Sequence, residues 1–175
     1  DEDCDGAPDN MGSISLGSAD AIFVGERSSD AAGGAVSSAG DVDGDGYDDI
    51  LVGAHLNDDR DINAGKAYLF YGPVSGVLDL ANADAAFVGE DAGDYAGFTL
   101  SSAGDVNGDG YGDVLIGAPY NDDGGTYAGK AYVVFGSAAL AGSLNLSQAN
   151  ASFVGENASD WAGLRVSGGM DINND

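Results

Sequence analysis

The chain repeats itself, and that repetition narrows its folding options more than any other feature. Phe23-Val24-Gly25-Glu26 recurs as Phe87-Val88-Gly89-Glu90 and as Phe153-Val154-Gly155-Glu156, at offsets of 64 and 66 residues. Asp41, Asp105 and Asp171 keep the same two offsets. Asp30-Ala31-Ala32-Gly33 matches Asp94-Tyr95-Ala96-Gly97 and Asp160-Trp161-Ala162-Gly163. Gly53-Ala54-His55 matches Gly117-Ala118-Pro119, and Gly65-Lys66-Ala67-Tyr68 matches Gly129-Lys130-Ala131-Tyr132. Several unrelated motifs hold one register, so each period is one structural unit stacked on its neighbours. The expected division is an acidic linker over 1–17, then repeats over 18–81, 82–147 and a shortened 148–175.

Each unit reads as strands. Ile50-Leu51-Val52 and Val114-Leu115-Ile116 are short β-branched-rich runs ending at Gly-Ala. Residues 67–71 and 131–135 are apolar runs closed by Gly72 and Gly136. Ala21-Ile22-Phe23-Val24 and its copies supply another, and 34–39 with 98–103 the fourth. Only 78–85 and 144–151 have room for a helical turn. Four strands in about 64 residues fit an all-β propeller blade. The 30 glycines against 3 prolines agree with many tight turns. A chain of 175 residues with 43% hydrophobic side chains can build a core.

Charge is lopsided: 30 acidic against 5 basic residues, a formal net charge of −25. Such a surface repels phosphates and anionic lipids, which disfavours nucleic acid and membrane insertion. A salt-adapted surface would give the same total. Here, though, many of the acids fall at fixed spacing. The single Cys4 excludes an internal disulfide, and no run of 18 apolar residues is present. The chain reads as a mature or excised segment.

The strongest chemical signal is Asp41-Val-Asp43-Gly-Asp45-Gly-Tyr47-Asp48-Asp49, with its twin Asp105-Val-Asn107-Gly-Asp109-Gly-Tyr111-Gly-Asp113. Oxygen-bearing side chains fall at loop positions 1, 3, 5 and 9, with Gly at 4 and 6. Calcium takes six to eight oxygens, and the position-7 carbonyl of Tyr47 or Tyr111 can add one. A helix–loop–helix calcium hand would also need an acid at position 12, where Val52 and Ile116 stand inside apolar runs. The pattern therefore predicts a calcium loop in a β-hairpin. A metal-free Gly/Asp turn is the alternative, disfavoured by two copies in register. A third copy starts at Asp171-Ile-Asn173-Asn-Asp175 and lacks positions 6, 7 and 9. It is a partial site, completed only by more chain or another molecule. Asp1, Asp3, Asp5 and Asp9 repeat the 1, 3, 5, 9 spacing around Cys4. That segment resembles the Cys- and Asp-rich metal-binding repeats of secreted bacterial proteins; a plain acidic linker is the alternative.

Taken together, these residues resemble the FG-GAP repeat of the integrin alpha-subunit propeller. Gly104 to Pro119 matches the family pattern of calcium loop, strand and Gly-Ala-Pro; Gly40 to His55 matches except for His55 in place of Pro. The Phe-Gly half is degenerate: Gly33-Gly34, Gly97-Phe98 and Gly163-Leu164 hold its place. The resemblance covers about residues 18–175. It implies calcium-bearing blades of a seven-bladed propeller that binds at a cell surface or matrix. It also implies calcium ligands at Asp41, Asp43, Asp45, Tyr47 and Asp49, and at Asp105, Asn107, Asp109, Tyr111 and Asp113. Under three blades cannot close a ring, so the expectation is an incomplete ring of about two and a half blades.

Nothing in the sequence points to catalysis. His55 is the only His, with no repeated Ser or Cys partner, and reads as an exposed loop residue. Lys66 and Lys130 recur once per unit, as do Glu26, Glu90 and Glu156, which suits a structural role such as pairing with a loop carboxylate. Tyr95 and Trp161 share a register suited to packing between blades or, alternatively, to stacking on a carbohydrate. Asn145, Asn150 and Asn157 open Asn-x-Ser glycosylation sequons. The reading is a secreted or cell-surface adhesion or ligand-binding module holding at least two Ca2+, with no enzyme activity. Its partner would be an extracellular protein or glycan, or other copies of itself. Alternatives are a subunit whose blades assemble edge to edge into a fibre or surface layer, and a non-catalytic part of a secreted hydrolase or lyase.

Overall fold

The computed structural model describes residues 16–168. The candidates Asp1, Asp3, Asp5, Asp9 and Cys4, and the partial loop Asp171, Asn173 and Asp175, lie outside the described residues. Eleven strands follow in order: β1 (Ala21–Val24), β2 (Ala35–Gly40), β3 (Asp49–Ala54), β4 (Lys66–Phe70), β5 (Gly76–Asp79), β6 (Ala85–Val88), β7 (Thr99–Gly104), β8 (Asp113–Ala118), β9 (Lys130–Val134), β10 (Gly142–Asn145) and β11 (Ala151–Val154). The only helical elements among the described residues are 3-10 turns at Leu16–Ser18, Leu80–Asn82 and Leu146–Gln148. The last two fall where the sequence leaves room for a turn. Asp79 and Asn145 start them, each accepting a hydrogen bond from the backbone N–H two residues on.

Four-stranded antiparallel sheets form as expected, β2-β3-β4-β6 and β7-β8-β9-β11. Sheet and sequence period are out of phase, however. Each sheet takes three strands from one repeat and its fourth, the Phe-Val-Gly-Glu strand, from the next. That strand also accepts a parallel partner beyond the four strands read from the sequence: β10 pairs with β6, and β5 with β1. Neighbouring blades are thus stitched by backbone hydrogen bonds as well as by packing.

Strand alternation explains the core. Leu51, Ala67 and Leu69 of the first blade face the second, meeting Val114, Ile116, Tyr132 and Val134. The opposite face of the first blade (Val52, Tyr68, Phe70) packs under Phe23, Leu78 and Leu80 from the β1–β5 layer. Tyr68 and Tyr132 hold equivalent places in the two interfaces, both nearly fully buried. Because blades pack almost backbone to backbone, glycine is required at the seam. A Cβ on Gly89 would collide with the Ala64 carbonyl.

Candidate functional site

The two carboxylate loops join β2 to β3 and β7 to β8, at one end of each blade. Their Asp side chains fold inward and accept hydrogen bonds from the loop's own backbone. Asp41 Oδ1 accepts from Gly44 N–H (2.7 Å) and Oδ2 from Gly46 N–H (3.0 Å). Asp43 accepts from Asp45 N–H (3.1 Å), and Asp45 from Tyr47 N–H (2.8 Å). The second loop repeats this: Asp105 accepts from Gly108 and Gly110 (2.7 and 2.8 Å), Asn107 from Asp109 (3.0 Å), and Asp109 from Tyr111 (3.0 Å). Gly44, Gly46, Gly108 and Gly110 all have φ between +77° and +94°, which is why the sequence needs Gly at positions 4 and 6.

Position 9 does double duty. Asp49 is fully buried, and its two oxygens accept from Val42 N–H (2.7 Å) and Gly72 N–H (2.8 Å), pinning the loop to the end of β4. Asp113 does the same with Val106 (2.8 Å) and Gly136 (2.9 Å). Burial raises the carboxyl pKa of Asp49. The Gly72 and Val42 hydrogen bonds oppose the rise, and the charges of Asp43 and Asp41 add to it. Asp113 is raised in the same way. Asp105, by contrast, is held below the usual carboxylate range, chiefly by the Gly110 hydrogen bond.

The donor set fits a hard divalent cation. One ligand atom each from Asp41, Asp43 and Asp49 lies within 4.8 Å of the others. Every carboxylate oxygen that accepts one N–H keeps a second lone pair. The described ion pairs of Lys66, Lys130 and Arg27 go to other acids, so among the described residues no ion pair reaches the loops. A bound cation would relieve the repulsion of like charges crowded in this way. In the second loop Asn107 replaces one carboxylate and donates to Asp109 Oδ2 (2.8 Å).

The repeated lysines are inter-blade clamps. Lys130 opens β9 and its Nζ lies 2.6 Å from Glu90, just after β6, and 2.6 Å from Asp123 in the β8–β9 loop. Lys66 bridges Glu26 (3.2 Å) and Asp59 (2.8 Å) in the equivalent place. Each ammonium also stands over a buried Tyr ring, Tyr68 at 4.7 Å and Tyr132 at 5.1 Å. Beside each clamp is a buried Asp–Asn pair. Asn57 Nδ2 donates to Asp30 (2.7 Å), and Asn121 Nδ2 to Asp94 (2.9 Å).

At the strand ends opposite the loops lies an aromatic cleft of about 500 Å³. Tyr95 packs on Tyr120 (4.9 Å between ring centres), Tyr120 on Tyr127 (5.4 Å), and His55 on Phe98 (5.2 Å). His55 is therefore not an exposed loop residue: it is half-buried, and burial holds its imidazole below the ordinary histidine value. Tyr95 and Tyr127 adopt left-handed backbone (φ 58° and 57°), uncommon for bulky residues. The cleft was missed from sequence, yet a signal existed. Tyr95, Phe98, Tyr120 and Tyr127 stand where the first repeat has Ala31, Gly34, Leu56 and Asn63. The equivalent Trp161 is 46% exposed. Of the sequon residues, Asn145 and Asn150 spend side-chain atoms on backbone, Asn145 as a cap and Asn150 accepting from Phe135 N–H. Asn157 is exposed but hydrogen-bonded with Asp160.

Comparison with known proteins agrees with the repeat architecture. The FG-GAP repeat model matches residues 32–70 and 96–134. Integrin alpha pat-2 of Caenorhabditis briggsae is 33% identical over 153 residues, covering 80% of this chain and 12% of that protein. Human integrin alpha-6 is 30% identical over 132 residues, covering 75% of the chain and 10% of its own length. Drosophila melanogaster integrin alpha-PS2 is 37% identical over 111 residues, 55% of the chain and 7% of its own. The chain thus spans about a tenth of the relatives it matches. No helix among the described residues is long and apolar enough to cross a membrane.

Proposed function

Because the chain is built of FG-GAP repeats and is integrin alpha-like, we infer that it works as an extracellular, calcium-stabilised β-propeller module for adhesion or ligand binding. The observation that carries the calcium reading is the convergence of Asp41, Asp43 and Asp49 within 4.8 Å, with no ion pair to balance them among the described residues. The first ion is assigned to Asp41, Asp43, Asp45, Asp49 and the Tyr47 carbonyl. The second is assigned to Asp105, Asn107, Asp109, Asp113 and the Tyr111 carbonyl. Bound calcium would stiffen the hairpins; the residues around it serve as anchors rather than reactive groups. The setting is the cell surface or secreted space, where calcium modules of modest affinity work. The partner is an extracellular protein or glycan, and the aromatic cleft offers it flat rings at the end of the blades away from the loops. In this reading the chain is not an enzyme. Its once-per-blade Lys and Glu side chains are committed to the clamps.

Native mass spectrometry in millimolar calcium tests the assignment. The native chain should retain at least two calcium ions, and Asp41→Ala and Asp105→Ala one fewer each. A chain that holds no calcium, or holds it regardless of both substitutions, overturns the reading.

A further inference from the structure

The two carboxylate loops are not independent: they touch. The Gly112 N–H donates to the Asp41 carbonyl across the blade seam at 2.6 Å. Gly112 shares its peptide group with the Tyr111 carbonyl, the position-7 donor of the second loop. Asp41 shares its carbonyl with the Val42 N–H, which donates to Asp49 Oδ2 at 2.7 Å. Two peptide groups and two short hydrogen bonds therefore run from the position-7 donor of the second loop to the position-9 carboxylate of the first. The contact is steric as well. The Tyr111 ring lies over Gly44, where an added Cβ would stand 2.6 Å from Tyr111 Cε1. A Cβ on Gly112 would press on the Asp41 backbone at 3.1 Å. The equivalent Gly108 meets nothing within 4 Å among the described residues, so here this packing occurs at the seam between the two loops.

We propose that the two loops bind calcium cooperatively, the first loop filling first and ordering the second through the Gly112–Asp41 hydrogen bond and the Tyr111–Gly44 contact. This rests on the calcium reading above. Filling order follows from donor charge: the first loop has four carboxylates, the second three and an amide. The sign of the coupling is a contest between effects. Direct repulsion between the two ions is damped by water and salt at these largely exposed loops, and two others remain. Polarisation along the hydrogen bonds works against a second cation, because an N–H drawn toward Asp49 takes up part of its negative charge. That effect alters each bond by only about 10–30%. Ordering works the other way. Fixing a residue's backbone costs about 1–2 kcal/mol, and the loops share the Asp41 and Tyr111–Gly112 backbone, so the second ion finds part of that cost already met. Ordering is the larger effect, and the coupling is positive.

Calorimetric titration of the full chain with calcium chloride tests this. Asp45→Ala disables the first loop and Asp109→Ala the second, and neither residue lies on the connecting hydrogen bonds. In the native chain the second loop should bind at least about fivefold more tightly than it does in Asp45→Ala. The first loop should lose the same factor in Asp109→Ala, since coupling is reciprocal. Tyr111→Ala keeps the carbonyl donor and removes the ring. It should retain two sites, with the coupling factor reduced towards one. Circular dichroism and the melting curve of each variant confirm that it is folded. Native affinities equal to those of the single-loop variants, or weaker, overturn the cooperativity while leaving the calcium reading intact. An absence of saturable calcium binding in the native chain overturns both.

Discussion

At Lys130 the ammonium nitrogen meets Glu90 and Asp123 while its side chain is only 9% exposed. Burial opposes its charge, yet the hydrogen bonds to Asp123 and Glu90 prevail and hold its pKa above the ordinary lysine value. Replacing it leaves Glu90, only 16% exposed, without its ion-pair partner, so Lys130→Met should cost about 2–3 kcal/mol in chemical denaturation. Arg27, 61% exposed in its pair with Asp59, is a control: Arg27→Ala should cost less than about 1 kcal/mol. Asp94 gives a pH prediction. Burial raises its carboxyl to about 6 from 3.8, against hydrogen bonds from Asn121 and Asp91. A carboxyl raised on folding binds its proton more tightly in the native state. Its contribution is therefore full at low pH and is lost as pH rises from about 4 to about 6. Both hydrogen bonds go to Oδ2, so an amide oxygen can replace it. Asp94→Asn should flatten the melting temperature between pH 4 and pH 6 relative to the native chain. It should also be the more stable of the two at pH 7, by at most about 3 kcal/mol.

Among elements, the loops and the fourth strand of each blade carry the sharpest comparisons. Gly44→Ala and Gly108→Ala share the cost of a positive φ, but only Gly44 has the Tyr111 ring above it. Gly44→Ala should exceed Gly108→Ala by about 1–2 kcal/mol in urea unfolding. Phe87 on β6 is fully buried while Phe153 on β11 is 63% exposed in this chain. Phe87→Ala should cost about 3–5 kcal/mol, and Phe153→Ala less than about 1 kcal/mol. The four strands of each unit and the carboxylate hairpins were legible in the sequence, because both rest on local pattern: short β-branched-rich and apolar runs closed by glycine, and oxygens at alternate positions between glycines. Partnership was less legible. That Phe87 closes the blade of the preceding repeat, and that Gly142–Asn145 joins it in parallel, depend on which neighbour is nearest in space. The aromatic cleft escaped for a related reason. Its rings come from three separate segments, and only a repeat-against-repeat comparison sets Tyr120 and Tyr127 apart from Leu56 and Asn63.

For the whole molecule, a net charge of −25 sets the terms. Self-repulsion favours expansion, and the buried clamps neutralise only a few acids. Divalent ions at the loops would relieve part of that charge and tie β2 to β3 and β7 to β8 where the blades meet. If this is what holds the sheets in shape, binding energy is folding energy. Differential scanning calorimetry of the native chain in millimolar calcium and in excess chelator, at matched ionic strength, tests it most directly. Two sites held near a hundred times their dissociation constants supply about 5 kcal/mol, so chelation should lower the melting temperature by about 10 °C or more. The double variant Asp41→Ala with Asp105→Ala should melt at one temperature under both conditions. Native curves that overlay with and without calcium would contradict the account.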